Sequence, residues 1–402
     1  MPRELPPTSP FAKRWLLDPA VVYLNHGSFG AAPKAVLEEQ TRIRERLETE
    51  PVRFLGRQYF AEIDRARSDL SAFLGARSEC LVFVDNATTG VNTVLRSIDL
   101  EAEDELVVTD HEYNACRNAL DAVAADRGAK VVVAHIPFPL QSEDEAVEAV
   151  LDRMTERTRL LLVDHVTSPT GMILPIERMV REARARGVEV LIDGAHAPGM
   201  VELNIDALGA AFYTGNCHKW MCAPKGAAFL HVREDLRDGV RPLVISHGAN
   251  APLGDCSRFR LEHDWTGTRD PSAWLAVPAA IQVMDSMVDG GWPELRRRNH
   301  ELALEARKLL CDALGIDPPC PDSMIGSLAS LPLPHGNSRT PSDPFATDPL
   351  QDTLLREFSI EVPVIPWPAP PRRLIRISAQ LYNHREQYAY LARALSRLNS
   401  VI

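Results

Sequence analysis

Short apolar runs alternate along the first two thirds of the chain with longer segments whose apolar residues recur at helical spacing. The runs predict buried strands, and the longer segments predict amphipathic helices. Such alternation is typical of βαβ units, which build a mainly parallel sheet with helices on its faces. We therefore predict an α/β protein whose strands cover residues 80–84, 106–109, 131–133, 160–164, 190–193, 210–213 and 227–230.

The same pattern divides the chain into three parts. An arm at 1–25 precedes a large domain at 26–270, which carries the predicted sheet, and a smaller α+β domain at 271–402. Residues 332–349 are rich in Pro, Ser, Thr and Asp and predict an irregular loop or lid. The other predicted elements of the smaller domain are helices at 272–287, 292–314 and 384–398 and strands at 360–362 and 374–378.

Two charged residues at the ends of predicted strands give the first functional hypothesis. Asp193 ends the apolar run Leu191-Ile192, which places its carboxylate where open α/β sheets bind ligands. Lys219 follows a second strand, in a loop of small and polar residues; burial there would lower the pKa of its amine and suit it to attack a carbonyl. An acid for a pyridinium nitrogen and a lysine for an aldehyde are the two anchors of pyridoxal 5'-phosphate (PLP), so the pair predicts a Schiff-base enzyme.

A hydroxyl-rich loop between the predicted strand 80–84 and a helix suits a phosphate group. Backbone N–H groups and the helix dipole favour an anion at such a position. We assign the cofactor phosphate to Ala87, Thr88 and Thr89. The alternative is a threonine that only caps the helix.

The segment around Asp193 and Lys219 resembles the class V aminotransferases among the fold-type I PLP enzymes, and more narrowly their isopenicillin N epimerase-like branch. That branch also includes C–S lyases of ergothioneine and lincosamide-type biosynthesis. The resemblance runs from Val21–Gly30 to Arg376-Ile377-Ser378 and covers most of the chain. It implies a fold-type I architecture, with a mainly parallel seven-stranded sheet flanked by helices, and a homodimer whose active site lies at the subunit interface.

The resemblance assigns further contacts to the cofactor. It places Tyr113, in preference to His111, on the pyridine face, although a surface tyrosine at a helix start is an alternative. Ser168 takes the place where related enzymes often carry an Asn that bonds the phenolate oxygen, and His196 approaches the same oxygen or the ring edge. A histidine that only caps the following turn is the competing interpretation of His196. The remaining expected contacts are Asn216 and His218 to the phosphate and Thr268 to the phosphate of the neighbouring subunit.

Substrate contacts are expected near the two ends of the segment that shows the resemblance, at residues 25–26 and at Arg376. Arg376 alternates with Ile375 and Ile377, so its side chain points to the opposite face of a predicted strand. A planar guanidinium there can hold an α-carboxylate with two hydrogen bonds. The pattern alone also allows a solvent-facing arginine, but the resemblance favours carboxylate binding. Asn25 and His26 are expected to face the substrate, unless His26 is a loop histidine bonded to backbone.

The implied reaction is removal of the Cα proton by Lys219 from an amino-acid substrate held as an external aldimine, with His196 or His26 as additional proton-transfer groups. Elimination needs one base, whereas epimerisation needs a donor on each face, and the sequence shows no convincing second donor. A C–S β-lyase acting on an S-conjugated cysteine in secondary metabolism is therefore favoured. The alternatives are an isopenicillin N epimerase-like enzyme, a decarboxylating deaminase or aminotransferase, and a catalytically silent PLP-fold binding protein.

Composition narrows the remaining possibilities. A net charge of −11 without a basic stripe disfavours nucleic-acid binding. Seven cysteines without a Cys-x-x-Cys pair indicate a reducing, cytoplasmic setting, and no apolar stretch approaches the ~18 residues of a membrane span. Cys217, His218 and Cys222 lack a second pair of ligands at zinc-site spacing, so no metal is expected.

Overall fold

The computed structural model describes residues 5–254, 256–336 and 346–399. Its strands are β1 (Val22–Tyr23), β2 (Leu81–Val84), β3 (Glu105–Thr109), β4 (Lys130–Ala134), β5 (Thr158–Asp164), β6 (Glu189–Asp193), β7 (Phe212–Asn216), β8 (Ala228–Val232), β9 (Leu328–Leu333), β10 (Ile360–Glu361), β11 (Val364–Pro366) and β12 (Arg373–Ser378). Its helices are α1 (His26–Phe29), α2 (Lys34–Thr49), α3 (Pro51–Arg53), α4 (Tyr59–Leu74), α5 (Ala87–Ser97), α6 (Asn114–Arg127), α7 (Glu143–Leu151), α8 (Ile176–Ala185), α9 (Ile205–Leu208), α10 (Arg258–Asp264), α11 (Ser272–Leu275), α12 (Val277–Asp285), α13 (Gly291–Leu314), α14 (Pro349–Phe358) and α15 (Arg385–Asn399).

The predicted seven-stranded, mainly parallel sheet is confirmed. Its strand order is β2-β8-β7-β6-β5-β3-β4, and β8 is antiparallel to both of its neighbours. Alternate residues of the central strands enter two different cores: Leu161 and Ile192 lie in one, and Leu162 and Leu191 lie in the other. Burial on both faces explains why these strands are almost continuously apolar.

The order of the strands across the sheet differs from their order along the chain. The last strand of this sheet in sequence, β8, lies between β2 and β7, and β2 forms the edge. A strand's own sequence carries its burial and not the identity of its neighbours, so the pairing could not be predicted from the run alone.

The smaller sheet has the antiparallel order β11-β12-β9 and packs against α13. Of its strands, β9 and β11 were not predicted. A separate parallel pair joins β1 to β10, with Val22 opposite Ile360. This pair connects the beginning of the described chain to its C-terminal third.

Residues 26–29, expected to form a loop, form the single helical turn α1. The predicted lid at 332–349 overlaps β9 at its start and α14 at its end, and its middle, 337–345, lies outside the described residues. The predicted boundaries at 25 and 270 remain predictions. Among the described residues, no helix combines the length and the apolar character needed to cross a membrane.

Candidate active site

Lys219 lies in the loop between β7 and β8, and its amine is close to His196. The Lys219 Nζ and His196 Nε2 atoms are 3.1 Å apart. Burial and the charge of Arg376 lower the pKa of Lys219 from 10.5 to about 8, against the opposing effect of Asp193. A substantial fraction of the amine is therefore neutral near pH 8 and able to act as a nucleophile or base.

The hydrogen bonds of His196 define its tautomer. The indole Nε1–H of Trp220 donates to His196 Nδ1 at 3.3 Å, so the proton of the neutral ring lies on Nε2 and points at the Lys219 amine. Burial, followed by the charge of Lys219, holds the pKa of His196 well below its usual value. His196 is thus a neutral donor that favours an unprotonated Lys219.

The backbone around Lys219 requires a glycine at position 30. Gly30 has a φ of +68°, and a Cβ there would lie 2.0 Å from the carbonyl oxygen of His218 and 2.8 Å from Lys219 Cα. Lys225 Nζ also donates to the Gly30 carbonyl at 2.8 Å. The N-terminal motif therefore packs directly against the lysine loop.

Two adjacent parallel strands place two carboxyl groups side by side. Asp164 ends β5 and pairs in register with Asp193 at the end of β6. Asp193 accepts hydrogen bonds from the Ala195 N–H at 2.9 Å and from Cys116 Sγ at 3.1 Å. Both acids are buried.

A third acid, Glu112, completes this buried cluster. Neither Glu112 oxygen, nor Asp164 Oδ2, receives a hydrogen bond from a donor in the described part of the chain. Burial raises the pKa of both groups well above the usual range, and the charge of Asp193 raises each of them further. Burial and the neighbouring carboxyls therefore disfavour the charged forms of Glu112 and Asp164.

The start of α5 carries the residues predicted to bind the cofactor phosphate. Asn86 caps the helix by accepting the Thr89 N–H at 2.8 Å, and the buried Asn216 side chain accepts the Ala87 N–H at 2.9 Å. The Thr88 N–H has no acceptor among the described residues. Among the three predicted phosphate ligands, only the Thr88 N–H therefore remains available to a phosphate. The Ala87 and Thr89 N–H groups already have acceptors among the described residues.

Arg376 is buried, and its hydrogen bonds connect β12 with the loop that carries Ser168 and with the N-terminal segment that carries Ser28. Its Nη1 donates to the Ser168 carbonyl at 2.6 Å and its Nη2 to Ser28 Oγ at 3.0 Å. Ser28 Oγ in turn donates to Asn25 Oδ1 at 2.5 Å. Burial lowers the pKa of Arg376 to about 10. Asn25 thus acts on Arg376 through Ser28, and Ser168 accepts from the guanidinium through its carbonyl and, at 3.2 Å, through its hydroxyl.

A cavity of about 640 Å³ brings the central groups together. Lys219, Arg376, Glu112 and Tyr113 all line it, with Ser168 at the same wall. Tyr113 is 48% exposed, so its ring is open to a ligand and also fits the alternative of a surface residue.

Three residues were expected to contact the substrate or the cofactor phosphate: His26, His218 and Thr268. Both ring nitrogens of His26 are engaged, Nδ1 with Tyr382 Oη and Nε2 with the Lys219 carbonyl, each at 3.0 Å. His218 Nδ1 donates to the Ala227 carbonyl at 3.0 Å, which leaves Nε2 for a ligand. Thr268 lines another cavity, beside Trp265 and Phe60. Within one chain, His26 positions the lysine loop rather than facing the cavity.

Sequence reasoning missed Glu112, Asp164 and Ser28. Glu112 immediately precedes Tyr113 and a helix start, where acids usually face solvent, so only the packing of β5 and β6 reveals its burial. Asp164 had a usable signal, because it ends an apolar strand in the same way as Asp193. Ser28 lies inside the N-terminal motif, but nothing in its sequence context indicates an arginine partner.

Comparison with known proteins identifies the family. The Aminotransferase class-V family matches residues 22–319. This chain belongs to that family. It is 38% identical over 397 residues to an isopenicillin N epimerase of Amycolatopsis lactamdurans, covering 95% of this chain and 96% of that protein. It is 32% identical to a probable chloroplastic L-cysteine desulfhydrase of Arabidopsis thaliana, covering 95% and 83% of the two chains. The resemblance to the isopenicillin N epimerase-like branch is confirmed.

Solved structures confirm the fold. The cystine C–S lyase C-DES, in complex with its product cysteine persulfide, matches with a TM-score of 0.76 at 20% identity, covering 94% of this chain and 97% of that one. A C-DES variant with glycine covalently linked to PLP gives the same TM-score. This class-V protein is a PLP-dependent enzyme.

The residues of the site fit PLP. Lys219, whose amine has a lowered pKa, would hold the cofactor aldehyde, and the buried carboxyl of Asp193 would hold the ring nitrogen. A cationic ring beside these buried carboxyl groups would stabilise their ionised form. The open Thr88 N–H at the start of α5 and the free Nε2 of His218 suit the phosphate.

Proposed function

We propose that the protein removes the Cα proton of an S-conjugated cysteine and expels the sulfur substituent from Cβ, as a C–S β-lyase of secondary metabolism. The observation that carries this proposal is the presence of Lys219 and Arg376 in one cavity. A base and an arginine in the same cavity suit an α-amino acid. The base can reach the Cα proton while the arginine holds the carboxylate bonded to the same carbon.

Arg376 orients the substrate. Its buried guanidinium already has hydrogen bonds to Ser168 and Ser28, and its Nε has no partner among the described residues. A substrate carboxylate would accept a hydrogen bond from this Nε–H. It would also replace Ser28 as the acceptor of the Nη2–H. The Cα–H bond is thereby held within reach of the lysine amine.

Lys219 then takes the proton. PLP supplies a conjugated ring that accepts the electron pair left at Cα. The neutral His196, fixed by Trp220, keeps its Nε2–H directed at Lys219 Nζ and so favours the unprotonated amine as base. Loss of the sulfur group as a thiol, followed by addition of water, yields pyruvate and ammonia.

Pyruvate release tests the lyase. Holoenzyme incubated with S-methyl-L-cysteine is expected to release pyruvate, ammonia and methanethiol in equal amounts. Release of carbon dioxide or formation of an α-keto acid that retains sulfur would contradict the lyase and indicate decarboxylation or transamination. A holoenzyme that leaves all amino acids unchanged would be a catalytically silent binding protein.

Epimerisation is the second candidate, and Glu112 favours it. The Glu112 carboxyl, whose pKa burial raises well above its usual value, lines the same cavity as Lys219 and would serve as the second proton donor that the sequence did not reveal. In D₂O an epimerase forms the enantiomer of the substrate with deuterium at Cα. Glu112→Gln would then abolish inversion while Lys219 still removes the proton from one enantiomer. Equal inversion by the variant would exclude Glu112 as the donor.

We also propose that two subunits form each active site in a cytoplasmic homodimer. Thr268 does not line the Lys219 cavity but lies in an apolar cavity of about 520 Å³ with Val52 and Phe60. Val52 and Phe60 are 73% and 48% exposed. A second copy covering this surface would bury these side chains and bring Thr268 to the phosphate of the other subunit.

A further inference from the structure

A second cavity, of about 470 Å³, adjoins the Lys219 cavity. Asp110, Trp367 and Pro368 line both spaces. Trp367 and Pro368 belong to the loop between β11 and β12, whereas Asp110 follows β3. The second cavity therefore lies beside the Lys219 cavity, between the end of β3 and the loop that joins β11 to β12.

The walls of the second cavity are largely apolar and are held by ring packing. The Trp367 ring lies 5.5 Å from the Phe138 ring in an edge-on arrangement and 4.6 Å from the His111 ring. Prolines at 137, 139, 332 and 368 complete much of the lining. Such walls suit the methylene or thioether part of an extended side chain.

The polar lining of the second cavity is mainly basic. Its Asp110 carboxylate already accepts the Ile136 N–H at 3.0 Å and contacts His135, and its Arg373 pairs with Asp348 at 2.8 Å. Arg372 lines the cavity, is exposed, and forms no ion pair with any residue in the described ranges. The Trp367 indole N–H also lacks an acceptor among those residues. An anionic acceptor would satisfy these groups.

We propose that the second cavity binds the side chain of the amino-acid substrate, and that this side chain is extended and ends in a carboxylate near Arg372. This inference rests on the proposed function, because it assumes that Lys219 and Arg376 fix the amino and carboxylate groups. With both groups fixed, the side chain has to leave Cα along the remaining space. The wall shared by the two cavities leads it past Trp367 to the Arg372 guanidinium.

A pair of isosteric substrates tests the terminal charge. S-(2-carboxyethyl)-L-cysteine and S-(2-carbamoylethyl)-L-cysteine have the same shape and differ in one charge. Dissociation constants from the change in cofactor absorbance, and kcat/KM for pyruvate release, are measured with holoenzyme. Wild type is expected to bind the carboxylate compound about two- to fivefold more tightly, as for an ion pair with an exposed arginine.

Arg372→Ala should abolish this preference and Arg372→Lys should retain most of it. The matched control is Arg356→Ala on α14, which removes another exposed arginine that lines neither cavity. Equal binding of both compounds by wild type, an unchanged preference in Arg372→Ala, or failure of both compounds to bind would overturn the inference. Pyruvate release without a preference would leave the lyase proposal standing, whereas a preference in binding without pyruvate release would remove the lyase proposal alone.

Discussion

Protonation in the active site is set by pairs of buried residues rather than by single side chains. Trp220 sets the tautomer of His196, and His196 presents its Nε2–H to Lys219. On the other side, Asp193 lies beside Glu112 and Asp164, and burial raises the pKa of both of these carboxyls. Asp193 could be predicted because it ends an apolar strand. Lys219 could be predicted because it lies in a loop of small and polar residues that follows another strand. Glu112 could not, because its burial depends on residues 50 to 80 positions further along the chain.

The lowered pKa of Lys219 predicts how the stability of the apoprotein depends on pH. Below pH 8 both the folded and the unfolded chain carry the lysine proton, and between pH 8 and 10.5 only the unfolded chain does. Relative to Lys219→Met, the free energy of unfolding should therefore rise with pH across this window, by up to about 1.4 kcal/mol per pH unit. Urea denaturation at a series of pH values measures it. Parallel pH profiles for the two proteins would show that Lys219 titrates normally.

At the scale of elements, strand ends and helix starts position the site. The strands of the large sheet were predictable because burial on both faces makes them nearly continuous apolar runs. By contrast, β9 contains Pro332 and lies at an edge, and β11 has only three residues, so neither shows a clear strand pattern. The strand–loop–helix order at the start of α5 was predictable, whereas the hydrogen bond of the Asn216 side chain to the Ala87 N–H was not.

Removing the cap of α5 should weaken cofactor binding. Asn86→Ala takes away the acceptor of the Thr89 N–H, which should cost about 1 kcal/mol of stability and loosen the helix start that offers Thr88. We expect a larger dissociation constant for PLP, measured by fluorescence titration of the apoprotein.

The matched control for Asn86 is Asn204→Ala. Asn204 caps α9 by accepting the Ala207 N–H at 3.2 Å and makes no contact with the phosphate position. This variant should lose similar stability and keep its affinity for PLP. Equal effects of the two substitutions on PLP affinity would contradict a specific role of the α5 start.

At the scale of the whole molecule, the site joins distant parts of the chain. Arg376 on β12 meets Ser28 and Ser168, and the N-terminal motif packs on the lysine loop. The resemblance at both ends of the sequence predicted that these segments meet, but their hydrogen bonds follow only from the fold. The homodimer remains a proposal. It is supported by the exposed apolar residues around Thr268, which a second chain would cover.

Two substitutions on this surface should separate assembly from cofactor binding. Phe60→Asp places a charge in the apolar cavity and should give a monomer with weakened PLP binding, because the contact from the partner's Thr268 would be lost. Thr268→Ala should remain dimeric and lose PLP affinity by itself. Analytical ultracentrifugation and PLP titration measure the two properties. A monomeric wild type, or a Thr268→Ala variant with full PLP affinity, would contradict the shared site.

The central claim is that Lys219 removes the Cα proton of an α-amino acid, whatever happens afterwards. The most direct measurement is loss of the Cα proton signal of L-2-aminobutyrate in D₂O, followed by NMR with holoenzyme, because this substrate has no leaving group at Cβ. Wild type and Lys308→Ala, which removes an exposed lysine of α13, should exchange the proton at the same rate. Lys219→Ala should exchange it at least about 100-fold more slowly. Exchange by Lys219→Ala at the wild-type rate, or no exchange by wild type, would contradict the claim.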